Sequence, residues 1–320
     1  MNRKLIVVLP VLTEDQTARI RVKAVQNGFE PLFFMNTADS LPELQDAEVI
    51  LGGDPILSRN APNLRWLCTP AAGINGFTGD DAFASAQAVL TNSSGAYGVT
   101  ISEHITMLLM NILRRYPEYA DHMSKREWVR RLPIRSIFGS RITLLGTGDI
   151  GQECVRRLKG FAPASLIGVN RSGRNPGNLF DKVVKSGELD QVLQETDILI
   201  ISLPGTPQTC HMIGEKQLKI LPDDAVIINV GRGTVIDQAA LEKELRGGRL
   251  FAGLDVFEEE PNAQEDTIWD CPRLILTPHV AGDTTLPYTL ERIVNLFLED
   301  FERYCEGKPL AGLADRKAGY

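Results

Sequence analysis

Short apolar runs separated by polar, helix-compatible stretches fill the first third of the chain. Residues 5–9 are apolar throughout, the pattern of a strand covered on both faces. Residues 14–27 form a polar helix-like stretch closed by Gly28, and residues 29–34, 49–51, 64–69 and 89–91 repeat the strand pattern. This alternation predicts a parallel α/β unit. Residues 100–116 differ: Ile101, Ile105, Leu108, Leu109 and Ile112 recur at helical spacing before Pro117, which predicts one long helix ending there. A second α/β unit starts at Arg141, with strands expected at 142–145, 166–169, 198–202, 225–230, 252–254 and 274–277. Leu290, Ile293, Val294, Phe297, Leu298 and Phe301 share one face of a final helix over 287–304, and residues 310–320 show no period.

The 320 residues exceed one ordinary core. With no internal repeat and no low-complexity linker, two units packed around a cleft are expected. A net charge of −7 argues against nucleic acid or anionic membrane as a partner. The basic positions Arg130, Arg131 and Arg135 read as a solvated loop. Five widely spaced cysteines (Cys68, Cys154, Cys210, Cys271, Cys305) without a CxxC pair suit reduced thiols in a cytoplasm, serving as small core residues, and offer no metal spacing. The start of the chain lacks a cleavage-site pattern and reads as the first strand, and no apolar run is long enough to span a membrane.

The strand at 142–145 runs into Gly146-Thr147-Gly148-Asp149-Ile150-Gly151, followed by a helical stretch at 152–158. A lone GxGxxG says little, but strand before and helix after is the context that a dinucleotide-binding turn requires. Gly146 permits the turn, Gly148 admits a pyrophosphate, and Gly151 lets helix and strand approach, with the helix N-terminus facing the anion. The next strand ends in Asn170-Arg171-Ser172-Gly173-Arg174, with no acid at its tip to bind a ribose 2′-hydroxyl. Arg171, helped by Ser172 and Arg174, can instead hold a 2′-phosphate, which predicts a preference for NADP(H). If Arg171 merely stacks on the adenine, NAD(H) is also accepted.

Three later segments carry polar residues where strands should end: 229–237, 253–261 and 277–282. Ligands of open α/β sheets bind there, so Arg232, Asp255, Glu260 and His279 are expected to converge. Reducing a carbonyl requires a proton donor near neutrality, for which His279 is suited, with Glu260 favouring its protonated form. Arg232 can grip a carboxylate and polarise a carbonyl. His104 lies off the apolar stripe of its helix, and His122 and His211 have no partnering motif; no chemistry is assigned to these three.

These segments, with Leu203-Pro204 and Thr209, resemble the D-isomer-specific 2-hydroxyacid dehydrogenases over nearly the whole chain. The resemblance implies two Rossmann-like or flavodoxin-like doubly wound α/β domains, residues 1–98 with 286–320 binding substrate and 99–285 binding NAD(P), with a cleft between them. It implies Arg232, Glu260 and His279 as the catalytic set, and Asp255 beside the nicotinamide amide, tuning the histidine. Ala72, Gly73 and Ile74 would hold the substrate carboxylate through backbone N–H groups, with Arg232 and His279. The cofactor would meet residues 146–151, Asn170, Arg171, Ser172, Leu203, Pro204, Thr209, Val230, Gly231, Arg232, Asp255, His279 and Gly282. A homodimer through the nucleotide domain is also implied, which suits the apolar helix after Thr100.

Gly205 replaces a leucine common in the family, and the first-domain loop begins Thr69-Pro70-Ala71-Ala72. Glutamate at 260 disfavours formate as the substrate. The expected activity is hydride transfer between NAD(P)H and a small 2-oxo acid, as in glyoxylate/hydroxypyruvate reductases. Two rivals stand beside it. A phosphoglycerate dehydrogenase of serine synthesis would need a cationic pocket, whereas residues 71–77 are largely apolar. A dinucleotide-sensing, corepressor-like scaffold would need long tails.

Overall fold

The computed structural model describes residues 3–319; Met1, Asn2 and Tyr320, which the expected domain ranges include, lie outside the described residues. The chain divides into two compact units, one running to Tyr97 and resuming at Asp283, the other being Gly98–Gly282. The first opens with β1 (Arg3–Val8), α1 (Glu14–Gln26), β2 (Phe29–Phe34), α2 (Thr37–Ser40), β3 (Ala47–Gly52), α3 (Pro55–Arg59), β4 (Trp66–Cys68) and β5 (Val89–Thr91). The second begins with α4 (Gly98–Leu113), α5 (Tyr116–Ser124), β6 (Arg141–Leu145), α6 (Asp149–Leu158), β7 (Ser165–Asn170), β8 (Lys182–Lys185) and α7 (Leu189–Leu193). It continues with β9 (Ile198–Ile201), α8 (Glu215–Ile220), β10 (Val226–Asn229), α9 (Gln238–Arg246), β11 (Phe251–Leu254) and β12 (Leu274–Leu276), and α10 (Pro287–Cys305) belongs to the first unit.

Both sheets are parallel and doubly wound. The first has the order β2-β1-β3-β4-β5 and the second β12-β11-β10-β9-β6-β7-β8. Their strands carry almost no polar interior: Ile198, Leu199, Ile200 and Ile201 are all buried, as helices on both faces demand. In the first unit α1 starts with a reciprocal cap, Thr13 Oγ1 accepting from Gln16 N while Gln16 Oε1 accepts from Thr13 N. α10 docks there through aromatic side chains, Phe297 stacking on Trp66 with ring centroids 5.3 Å apart. The aperiodic tail is held by polar contacts instead of a stripe: Asp300 accepts from the N–H groups of Ala311 and Gly312.

In the second unit the apolar stripe of α4 turns inward, with Ile105, Leu108 and Leu109 wholly buried. The helix sits so near β11 that a Cβ on Gly253 would lie 3.3 Å from both Ile112 Cδ1 and Leu108 Cβ. Three readings of the pattern differ from the structure. The helix stops at Leu113, and Pro117 lies in the first turn of α5, where its missing N–H costs nothing. β8 escaped notice because it is an edge strand, Lys-Val-Val-Lys, with only Val184 buried. Arg130 and Arg131 are exposed, but Arg135 is not merely solvated. Its guanidinium lies 4.7 Å from the centre of the Phe251 ring and donates to the Asp224 carbonyl oxygen.

Candidate active site

The register of the second sheet explains how distant residues meet. Leu145 pairs with Val169 and with Ile201, Ile201 with Asn229, Asn229 with Leu254, and Leu254 with Leu276. The strands therefore end level, and the residues that follow leave from one edge. β6 is the switch point, flanked by β7 on one side and β9 on the other, where the order reverses and a crevice opens.

His279 and Glu260 form a pair at this edge. His279 Nδ1 and Glu260 Oε2 are 2.6 Å apart, which leaves Nε2 as the ring nitrogen able to meet a substrate. Both side chains are partly exposed, at 46% and 34%. Glu260 is itself oriented, because its Oε1 accepts from Phe257 N at 2.9 Å. The His279 backbone has φ +54°, a left-handed conformation uncommon outside glycine, so something must hold it. Asp255 does so. Its carbonyl oxygen accepts from His279 N (2.8 Å), Oδ1 from Val280 N (2.9 Å) and Oδ2 from Ala281 N (3.0 Å). With 1% exposure, Asp255 is buried, and both of its carboxylate oxygens accept from this loop.

Arg232 comes from the exit of β10. Gly233 beside it packs against backbone, since a Cβ there would lie 1.8 Å from the Phe257 carbonyl carbon. That close approach brings the Arg232 loop against the segment leading to Glu260. Burial pulls the Arg232 guanidinium below its usual pKa, opposed by the Glu260 charge, and Nη1 donates to the Gly231 carbonyl oxygen at 2.6 Å. Gly231 in turn lets Leu203 pass close by, as its Cβ would sit 2.5 Å from the Leu203 carbonyl oxygen. Val230 N donates to Ile201 O (3.1 Å), and Thr209 Oγ1 donates to Pro204 O (2.7 Å), closing the loop after β9.

The glycine turn fits a pyrophosphate. A Cβ at Gly146 would lie 2.7 Å from Ser202 Oγ and one at Gly151 would lie 2.3 Å from the Gly146 carbonyl oxygen, so the fold itself requires both. At Gly148 a Cβ would enter open space, which is the room that an incoming phosphate needs. α6 starts at Gly148 without a side-chain cap, a position that an anion can take. The Asp149 carboxylate does not face this space; it accepts from Gly98 N at 2.7 Å.

Residues 106–281 match the family model described as D-isomer specific 2-hydroxyacid dehydrogenase, NAD binding domain. The chain belongs to this family. It is 31% identical over 291 residues to glyoxylate/hydroxypyruvate reductase B of Yersinia enterocolitica, covering 87% of this chain and 88% of that one. A solved D-isomer specific 2-hydroxyacid dehydrogenase family protein from Aeromonas salmonicida superposes with a TM-score of 0.84 at 29% identity, covering 99% of this chain and 100% of the other. The NADPH-dependent glyoxylate/hydroxypyruvate reductase of Sinorhizobium meliloti, solved with NADP and sulfate, gives a TM-score of 0.83 at 26% identity, covering 99% and 100%. As a D-2-hydroxyacid dehydrogenase the protein is an oxidoreductase that uses NAD(P) to interconvert 2-oxo and 2-hydroxy acids.

The tip that follows β7 in this dehydrogenase is built on Asn170. Its Nδ2 donates to Thr147 Oγ1 (2.7 Å) and to Arg174 O (2.9 Å), while Oδ1 accepts from Gly173 N (2.6 Å). Arg171 and Ser172 are exposed beyond it, and Gly282, partly buried, follows the His279 loop. In the first unit, Ile74 is fully buried, and the N–H groups of Ala72, Gly73 and Ile74 meet no acceptor among the described residues. Sequence reasoning missed His104, whose Nε2 is 2.9 Å from Thr277 Oγ1. His122 and His211 pair with Glu127 and Glu258. No helix is long and apolar enough to cross a membrane, and no cluster of potential metal ligands exists among the described residues.

Proposed function

We propose that this enzyme reduces small unphosphorylated 2-oxo acids, glyoxylate and hydroxypyruvate above all, with NADPH preferred to NADH. The observation that carries the reading is the His279–Glu260 pair, seated on a clamped turn, with the charge of Glu260 acting on the partly buried Arg232. The glyoxylate/hydroxypyruvate reductases of Yersinia and Sinorhizobium supply the substrate class.

When bound, the dinucleotide supplies the hydride; the chain's own residues do the rest. His279 Nε2 gives a proton to the carbonyl oxygen as it gains charge, while Glu260 keeps Nδ1–H oriented and offsets the imidazolium. Arg232 binds the substrate carboxylate and polarises the carbonyl; its burial strengthens both contacts. Ala72, Gly73 and Ile74 offer backbone N–H groups suited to a carboxylate. Residues 146–151, 202–204, 230–231 and 282 surround the nucleotide, with Thr209 and Asp255 fixing the loops that do so. The unit Gly98–Gly282 is thus the nucleotide domain and the other the substrate domain.

Arg171 and Ser172 select the 2′-phosphate, since a tip lacking Asp and Glu does not repel it. Arg171→Ala should raise KM for NADPH about tenfold or more, as a charge-assisted contact is worth ~1.5–3 kcal/mol, and leave NADH use unchanged. Phosphoglycerate is disfavoured because residues 71–77 bring no cation. We also propose a cytoplasmic homodimer, the five cysteines being unpaired. Because α4 turns its stripe inward, the contact would use Met107, Tyr116, Trp128 and Phe138, all exposed. Light scattering of Trp128→Asp should then report monomers.

The decisive experiment is initial-rate measurement with a panel of 2-oxo acids and both nucleotides, in wild type and His279→Ala. Turnover of 3-phosphohydroxypyruvate above glyoxylate, or a wild-type rate in His279→Ala, would overturn the reading.

A further inference from the structure

Behind the His279 loop runs a chain of polar contacts that the proposed chemistry does not use. It starts on α4, at the histidine to which the periodicity assigns nothing. His104 Nε2 lies 2.9 Å from Thr277 Oγ1, and Thr277 Oγ1 donates to Asp255 Oδ1 at 2.6 Å. Asp255 in turn holds the N–H groups of His279, Val280 and Ala281. Asp255 is buried and the His104 side chain is only 14% exposed, so little water competes for these contacts.

The direction of each bond follows from proton counting. A hydroxyl has one proton, and Thr277 gives its own to the carboxylate, which can only accept. Toward His104, Thr277 Oγ1 is therefore an acceptor, and Nε2 must carry a proton. The chain reads donor to acceptor from α4 outward: imidazole N–H, hydroxyl, carboxylate. At its end stands the residue with φ +54°, whose ring must face the substrate oxygen. Such a backbone persists only where neighbours over-determine it.

We infer that His104 is a positioning residue for proton transfer: through Thr277 it fixes the Asp255 carboxylate, and through Asp255 the turn that presents His279. His104 touches neither substrate nor nucleotide in this scheme. The inference rests on the proposed role of His279 and deepens it.

The test is a double-mutant cycle on the whole protein, read as kcat and KM for glyoxylate alongside NADPH affinity by fluorescence titration. Small displacements of a reacting group are costly, so His104→Leu and Thr277→Val should each lower kcat about tenfold. NADPH affinity, which also reports that the nucleotide unit is folded, should stay within about twofold of wild type, the bound set here for no change. Because the two residues act in series, the double variant should be no slower than the slower single one. His104→Gln, which offers an N–H donor near the same place, should recover most of the rate. Wild-type kcat in His104→Leu, effects that multiply in the double variant, or failure of Gln to rescue would each overturn the inference. His279→Ala run in parallel separates the two levels. If it is inactive while His104→Leu is normal, only the positioning role falls. If it too runs at the wild-type rate, the proposed chemistry falls and the positioning role with it.

Discussion

Gly233→Ala offers the sharpest test of how the site is assembled. The added methyl would sit 1.8 Å from the Phe257 carbonyl carbon and 1.9 Å from its oxygen, and both are backbone atoms without a rotamer to change. Carbon atoms rest at about 3.5–4.0 Å, so the exits of β10 and β11 must part by roughly 1.7 Å. Overpacking of this kind costs about 1–3 kcal/mol, which for a unit of this size lowers Tm by roughly 2–4 °C per kcal/mol. The functional loss should be larger than the thermal one. Phe257 N is bound to Glu260 Oε1, and Glu260 Oε2 to His279, so that pair moves with Phe257 while Arg232 moves with the other strand. A misplacement of ~1 Å is worth about 10²-fold in rate. Kinetics with NADPH and glyoxylate should show kcat/KM reduced about a hundredfold. A variant that melts earlier yet keeps kcat/KM within twofold of wild type would show that the spacing of Arg232 and Glu260 does not matter.

Three further outcomes follow from the same coordinates. Gly148→Ala should leave Tm within about a degree, because its methyl enters open space, yet raise KM for NADPH at least about tenfold; unchanged KM would place the pyrophosphate elsewhere. Burial pulls the His104 imidazole below its usual 6.5, so the unfolded chain binds that proton more tightly. Stability should be full above about pH 6.5 and fall as pH drops below it, and Tm measured from pH 7 to 5 should decline less in His104→Leu than in wild type. Trp66→Ala removes a fully buried ring that stacks on Phe297 and donates to Thr91, and should cost about 3–5 kcal/mol in denaturant unfolding of the first unit; under about 1 kcal/mol would discount that stack.

The sheets were legible because their strands are buried on both faces and read as unbroken apolar runs, such as Ile198–Ile201. The edge strand Lys182–Lys185 lacks that signature, since solvent meets one side of it. The candidate site was legible for a related reason. Gly146, Asn170, Arg232, Asp255 and His279 stand at or just past the ends of apolar runs, where a parallel sheet presents its chemistry. His104 was not, because its partner Thr277 is 173 positions away, and helical periodicity records only the apolar stripe. The inward turn of Asp255 and the Gly98 contact of Asp149 were hidden likewise, being set by tertiary neighbours.

The Asn170 amide has a consequence for how such an enzyme changes partners over time. By tying β7 to Thr147 and closing its own tip through Gly173 N and Arg174 O, it holds the backbone of the tip with a neutral side chain. The charge that the tip presents can then change while the bond from Asn170 to Thr147 stays in place. Selection for one redox pool or the other can therefore act on the tip without undoing its anchor to the glycine turn.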